Sequence, residues 1–244
     1  MLDRHRGSGQ VLDKKETLRS IVKTNMILGR VDENRIDTTK FVIGPNDKVY
    51  RILSREKVWK SQAVVFFLRD YSGSMYGDPT KAVVSQHLMI YAWLAVQYEK
   101  LVVPRFIVHE VKAEEVSASD YFRLSIGGGT LIASGYKKIN EMVESEGLAR
   151  DYNIYVFQGT DGDDFDDGKQ ALPELRKILG YVNRMGVCLL KHPYYKDRDT
   201  SFEEYMKKAS ALEQKDLFRM YTMSSAGVTE EKNVEAVKAL IAQD

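Results

Sequence analysis

Three stretches concentrate glycine and oxygen-bearing side chains directly after apolar or β-prone runs: RDYSGSMYGDP from Arg69, SIGGGTL from Ser125, and QGTDGDDFDDG from Gln158. Asp70 and Asp161 each close such a run. If the two runs are neighbouring strands, both carboxylates face one crevice. Two ionised carboxylates in a dry site repel, so either one takes up a proton or a cation sits between them. Ser72, Ser74 and Thr130 supply neutral oxygens around such a cation. Oxygen-only ligation with few carboxylates suits Mg²⁺ or Mn²⁺, with water completing an octahedron. Gly127, Gly128 and Gly129 let the backbone carry Thr130 close without Cβ clashes.

The elements that must hold these loops follow from hydrophobic period. Beyond Ser61 short β-rich runs alternate with helical patterns. Strands are predicted at 63–69, VVPRFIVHE, a short polar AEEVS, YNIYVFQ, VCLLK and LFRMYTM. Helices are predicted from Pro79 to about Tyr98, Thr130 to about Glu146, Lys169 to Met185, 201–212, and Thr229 to Ala242. This alternation predicts an α/β fold: an open, mostly parallel six-stranded sheet with helices on both faces. Ligands of such sheets bind at the carboxyl ends of the strands, where all three loops fall. The helix from Pro79 is apolar nearly all round (Val83, Val84, Leu88, Met89, Trp93, Leu94), which predicts a central position. Its N-terminal dipole points toward that crevice and would favour negative charge there by a few tenths to about 1 kcal/mol.

Residues 1–60 read as a basic N-terminal extension and 61–244 as the α/β domain. The extension carries 14 Lys/Arg against 8 Asp/Glu, whereas residues 161–167 hold five aspartates, a contrast of positive arm and negative pocket. One helix is predicted from Asp13 to Gly29, with Asp13 capping, Glu16 three residues on, and Leu18, Ile21, Val22 and Met26 as its apolar stripe. A turn and short strand follow around Tyr50 and Ile52.

The 244 residues are 43% hydrophobic and 29% charged with net charge +1, enough for a sizeable core. That balance gives no electrostatic argument for nucleic acid or an anionic membrane. Cys188, the one cysteine, lies in GVCLL as a small buried hydrophobe rather than a reactive thiol, and no disulfide framework is possible. The N-terminal MLDRHRGSGQ lacks a signal peptide's apolar core, and no run reaches the roughly 20 apolar residues of a membrane span, so the expected location is the cytoplasm.

DYSGSM, then GGGT, then an apolar strand ending TDG resembles the metal-ion-dependent adhesion site (MIDAS) of von Willebrand factor A domains. The likeness assigns Asp70, Ser72, Ser74, Thr130 and Asp161 as the metal set. The stretches GSGQVLDKKETLRSIVKTN, NDKVYRILSREKVWKSQAVVFFLRDYSGSM and FIVHEVKAEEV extend it to the YeaH/YhbH-type proteins, an intracellular branch of that superfamily. The sequence departs from that pattern with Thr160 and Asp164 in place of a serine and an asparagine. It also has little of the larger members' long N-terminal region. The resemblance implies a protein-interaction module rather than an enzyme, in which a partner's Glu or Asp fills an open metal position. It further implies partners such as a PrkA-type serine kinase with an ATPase module or a SpoVR-like protein, in stress or sporulation physiology.

A competing chemistry is Mg²⁺-dependent phosphate-ester hydrolysis of the haloacid dehalogenase kind, which also begins with an aspartate after an apolar strand. It needs a general acid two residues later, where this chain has Ser72. DDFDDGKQALPE has an EF-hand-like acidic content, but Phe165 stands at its third position and it follows a strand. His109 ends a strand near the crevice and reads as a structural histidine, as does His87 on the helix from Pro79. Tyr194 and Tyr195 in HPYYK could face a partner or cover the core.

Overall fold

A computed structural model of the chain describes residues 2–6, 11–31, 38–53, 62–123, 128–195, 197–209 and 216–241. Gly127, Lys196, Ala242, residues 54–61 and the 210–212 end of one predicted helix lie outside the described residues. The chain divides into two compact units, Met1–Trp59 and Lys60–Asp244.

In the first unit, β1 (Leu2–Arg6), β2 (Val11–Leu12) and β3 (Val49–Leu53) form an antiparallel sheet in the order β1-β3-β2. β3 contains the strand expected at Tyr50 and Ile52. β1 and β2 are additions to the sequence reading, being too short and polar to give a period. Helix α1 (Lys14–Ile27) is capped as expected, with the Asp13 carboxylate accepting from Glu16 N at 3.2 Å. Its apolar stripe is a correction, since Leu18 and Met26 are each 60% exposed while Thr17 and Asn25 are buried. The helix is instead held by polar bonds. Thr17 Oγ1 accepts from Val49 N at 2.9 Å, Ser20 and Thr24 donate to Asp47 Oδ1, and Asn25 pairs with the backbone of Val42.

The second unit is built on β4 (Ala63–Asp70), β5 (Val102–His109), β6 (Ala113–Val116), β7 (Asn153–Thr160), β8 (Arg184–Lys191) and β9 (Phe218–Ser224). Their order is β6-β5-β4-β7-β8-β9, all neighbours parallel except β5 and β6. β4 is buried at every position because it is flanked on both sides and covered on both faces, which explains its unbroken apolar run. Phe66 and Phe67 are fully buried on opposite faces, each worth about 1.5–3 kcal/mol of apolar burial.

Five further helices carry or complete the faces: α2 (Asp78–Gln97), α4 (Ile132–Glu146), α6 (Ala171–Leu179), α7 (Ser201–Lys208) and α8 (Glu230–Ile241). The short α3 (Ala118–Arg123) and α5 (Leu148–Asp151) were not foreseen. Val64, Phe66 and Leu68 pack with Ile132, Tyr136 and Ile139 of α4 and with residues of α6 and α7. Val65 and Phe67 pack with Val83, Ile90 and Leu94 of α2 and with α8. α2 therefore covers one face instead of sitting centrally: Leu88 is 55% and Val96 81% exposed. Apolarity all round misled because these residues form an outward strip one or two turns apart. α6 stops at Leu179, well short of Met185, because Gly180 ends it and Met185 belongs to β8.

The chain leaves β4 for β5 and β6, then crosses back to β7 on the other side of β4. This reversal opens a crevice at the carboxyl end of β4. Among the described residues no helix is long and apolar enough to cross a membrane.

Candidate functional site

Asp70 ends β4, fully buried on the α4 face of the sheet. Its Oδ1 accepts from Ser72 N at 2.9 Å and its Oδ2 from Thr160 Oγ1, at the end of β7, at 2.7 Å. The chain then turns through a short 3₁₀ segment, Gly73–Met75, before α2 begins. That turn sets Ser72 Oγ 3.1 Å from Ser74 Oγ. The Ser74 hydroxyl donates in turn to Asp161 Oδ2, whose other oxygen accepts from Asp163 N at 3.2 Å. Asp70, Ser72, Ser74 and Asp161 thus form one connected set of oxygens, drawn from residues 87 positions apart at the widest bond.

Thr130 is buried on the third loop. Its own hydroxyl hydrogen-bonds none of these groups among the described residues, but its backbone ties the loops together. Gly73 N donates to Gly128 O at 3.4 Å and Phe165 N donates to Thr130 O at 3.1 Å. A Cβ on Gly129 would lie 2.1 Å from the Phe165 ring, and one on Gly128 would lie 1.9 Å from the Glu110 carboxylate. Glycine at both positions lets the loop pass between those side chains. Of the five predicted residues, four are linked directly and the fifth is carried on a loop bonded to both others.

Burial raises the pKa of Asp70, opposed by the bonds from Thr160 and Ser72. Asp161 is pushed up to about 6, first by burial and then by the neighbouring Asp70 charge. Among the described residues neither carboxylate has an ion-pair partner. Two carboxylates that resist joint ionisation, bordered by hydroxyl oxygens, fit a small hard divalent cation. Among the described residues no three His, Cys, Asp or Glu side chains cluster as a metal site, so this set depends on its hydroxyls. Asp70, Ser72, Ser74, Thr130 and Asp161 are the residues that could hold the ion.

Beneath this set lies a layer of buried polar groups whose contacts the sequence reading did not assign. Thr160 bonds Asp70 directly. Tyr136 Oη donates to Gln158 Oε1 at 2.6 Å, and His109, paired in register with Asp70, has no hydrogen-bond partner for either ring nitrogen among the described residues. Burial lowers the His109 pKa to about 4, keeping the ring neutral at pH 7, while His87 bonds Tyr121 Oη at 2.6 Å. Asp164 accepts from Ile132 N and Tyr205 Oη, and burial pushes it up to about 6. The available signal was positional, since Asp70, His109 and Thr160 occupy equivalent ends of adjacent strands. Cys188 is buried and its thiol is pushed up to about 12, and Tyr194 is 89% exposed.

Residues 9–230 match the family described as "Protein of unknown function (DUF444)". The chain belongs to this family. Among curated DUF444 relatives, a UPF0229 protein of Ruminiclostridium cellulolyticum is 28% identical over 214 residues, covering 84% of this chain and 53% of that protein. A UPF0229 protein of Vibrio vulnificus (strain CMCP6) is 35% identical over 187 residues, covering 72% of this chain and 43% of that protein. The chain spans about half the length, or less, of these curated relatives. The crystal structure of the SpRpn10 VWA domain matches this DUF444 chain with a TM-score of 0.53 at 12% identity, covering 71% of this chain and 94% of that domain. The second unit has a von Willebrand A-type fold.

Proposed function

We propose that this chain is a metal-dependent protein-interaction module of the MIDAS type, holding Mg²⁺ or Mn²⁺ and capturing an acidic side chain of a partner. The observation that carries the reading is the linkage of a fully buried carboxylate, Asp70, to the half-buried Asp161 carboxylate through the Ser72 N–H and the Ser72 and Ser74 hydroxyls at the sheet's crevice. A bound divalent ion supplies a Lewis-acidic position at which an incoming carboxylate completes the coordination.

The protein's own residues do the positioning. Asp70, fixed by Ser72 N and Thr160, forms the primary lobe with Ser72 and Ser74. Thr130 and Asp161 close the site directly or through water. Ser74 is exposed, so the lobe is open to a partner's side chain. The likeness to YeaH/YhbH-type proteins supports a cytoplasmic setting, with a PrkA-type serine kinase or a SpoVR-like protein as the partner in stress or sporulation physiology.

Titration calorimetry of Mg²⁺ into chelator-stripped protein tests the reading. Binding by the wild type and none by a folded Asp70→Ala variant is expected; equal affinity in the two overturns it. Partner capture lost in EDTA and restored by Mg²⁺ is the matching result in lysate.

A further inference from the structure

Beside Ser74 and Asp161 the surface opens into a cleft of about 630 Å³ that Lys191, His192 and Arg198 also line. These nitrogen-bearing side chains differ in what already engages them. Lys191 Nζ lies 2.7 Å from Glu203 Oε2, with both side chains 9% exposed, so its charge is spent inside the fold. His192 Nδ1 accepts from Tyr194 N. Arg198 is exposed and makes no ion pair or hydrogen bond among the described residues. Asp199, its neighbour in the cleft, is paired with Lys207. Arg198 is therefore the cation in this cleft whose forked donors are open to a ligand, and that fork matches a planar carboxylate. Asp163 also lines the cleft, so a single carboxylate suits it better than a multiply charged phosphate.

We infer that the cleft receives a second acidic side chain of the same partner segment: one carboxylate reaches the site at Ser74 and Asp161, and another, two or three residues along, pairs with Arg198. The inference rests on the metal-dependent reading above and adds the partner's spacing. A cavity of 630 Å³ has a linear dimension on the order of 9 Å, and an extended chain advances about 3.3–3.6 Å per residue. The segment expected is thus acidic at two positions, with one or two residues between them.

The probe is a set of fluorescein-labelled Gly/Ser octapeptides with one glutamate, or with two glutamates separated by none to three residues. Fluorescence anisotropy is read in magnesium and in EDTA. For the wild type the second glutamate is expected to tighten binding about five- to tenfold at the favoured spacing, and EDTA is expected to abolish binding. In Arg198→Gln the one- and two-glutamate peptides should bind alike, whereas Lys208→Gln, a control for general charge, should keep the gain. A gain that survives Arg198→Gln, or one absent at every spacing, overturns the second anchor while leaving the metal reading in place. Binding that ignores EDTA but keeps the Arg198-dependent gain overturns the metal reading alone. If no peptide binds the magnesium-loaded protein, both fail.

Discussion

Thr160 Oγ1 donates to Asp70 Oδ2 across 2.7 Å, joining the ends of two adjacent parallel strands under the crevice. Both residues are fully buried, so this hydroxyl is one of the few groups that compensates the carboxylate for lost water. Thr160→Val preserves shape and removes the donor. It should cost about 1–3 kcal/mol in urea denaturation and weaken Mg²⁺ binding in calorimetry. Thr160→Ser should stay close to the wild type in both, and a valine variant equal to the serine variant would show the bond to be idle.

Asp161 stands beside Asp70 with its carboxyl pushed up to about 6. Neutralising it should therefore move two observables in opposite directions. In EDTA at pH 7.5, Asp161→Asn is expected to be more stable than the wild type, by up to about 3 kcal/mol. Adding Mg²⁺ should raise the melting temperature of the wild type and leave the variant unmoved. A variant less stable than the wild type in EDTA would mean that the two carboxylates do not repel.

Asp164 gives the pH dependence its sign. Its ordinary value of 3.8 is raised to about 6 in the folded chain, chiefly by burial. The native state thus holds a proton that the unfolded state releases, and the resulting stability is complete below about 4 and lost as pH rises through about 6. Asp164→Asn keeps an acceptor for Ile132 N without that loss. Relative to the wild type, the variant should gain on the order of 3 kcal/mol or less between pH 4 and 7.5, measured by denaturation in EDTA. A difference independent of pH would contradict it.

Gly159 in β7 faces Val83 of α2 so closely that an added Cβ would lie 2.3 Å from Val83 Cγ2 and 2.5 Å from Cγ1. Gly159→Ala should cost about 1–3 kcal/mol through overpacking. Combining it with Val83→Ala should recover part of that cost, a positive coupling readable in a double-mutant cycle. Strictly additive losses would show that the helix moves away freely.

Much of the second unit was legible because its strands alternate with helices on a clear period. The apolar run at 63–69 and the helix opening at Pro79 lie within a residue of the observed β4 and α2. The positions of the loops were legible because turns between strands and helices gather glycine, serine and aspartate. What was not legible depends on pairing across the chain. Leu18 and Met26 follow a helical period, yet Thr17, Ser20, Thr24 and Asn25 make the contacts of α1, and only the fold supplies their partners Asp47, Val42 and Val49. Leu88 and Val96 count as apolar in any pattern but face outward on α2. Thr160 and His109 gained meaning once strand order set both beside Asp70.

Both faces of β4 are apolar until its last two residues, which carry opposite charges to opposite sides of the sheet. The Arg69 guanidinium rests 5.1 Å from the Tyr121 ring on the α2 side, while the next residue sends its carboxylate to Thr160 on the other. A one-residue slip of this strand would exchange those destinations, delivering a fixed cation to the place where a divalent ion is proposed to sit. The length of β4 is therefore an electrical specification as much as a mechanical one. A residue added or deleted within β4 whose slip carried through to Arg69 would reverse the charge delivered to the crevice without altering any residue named in it.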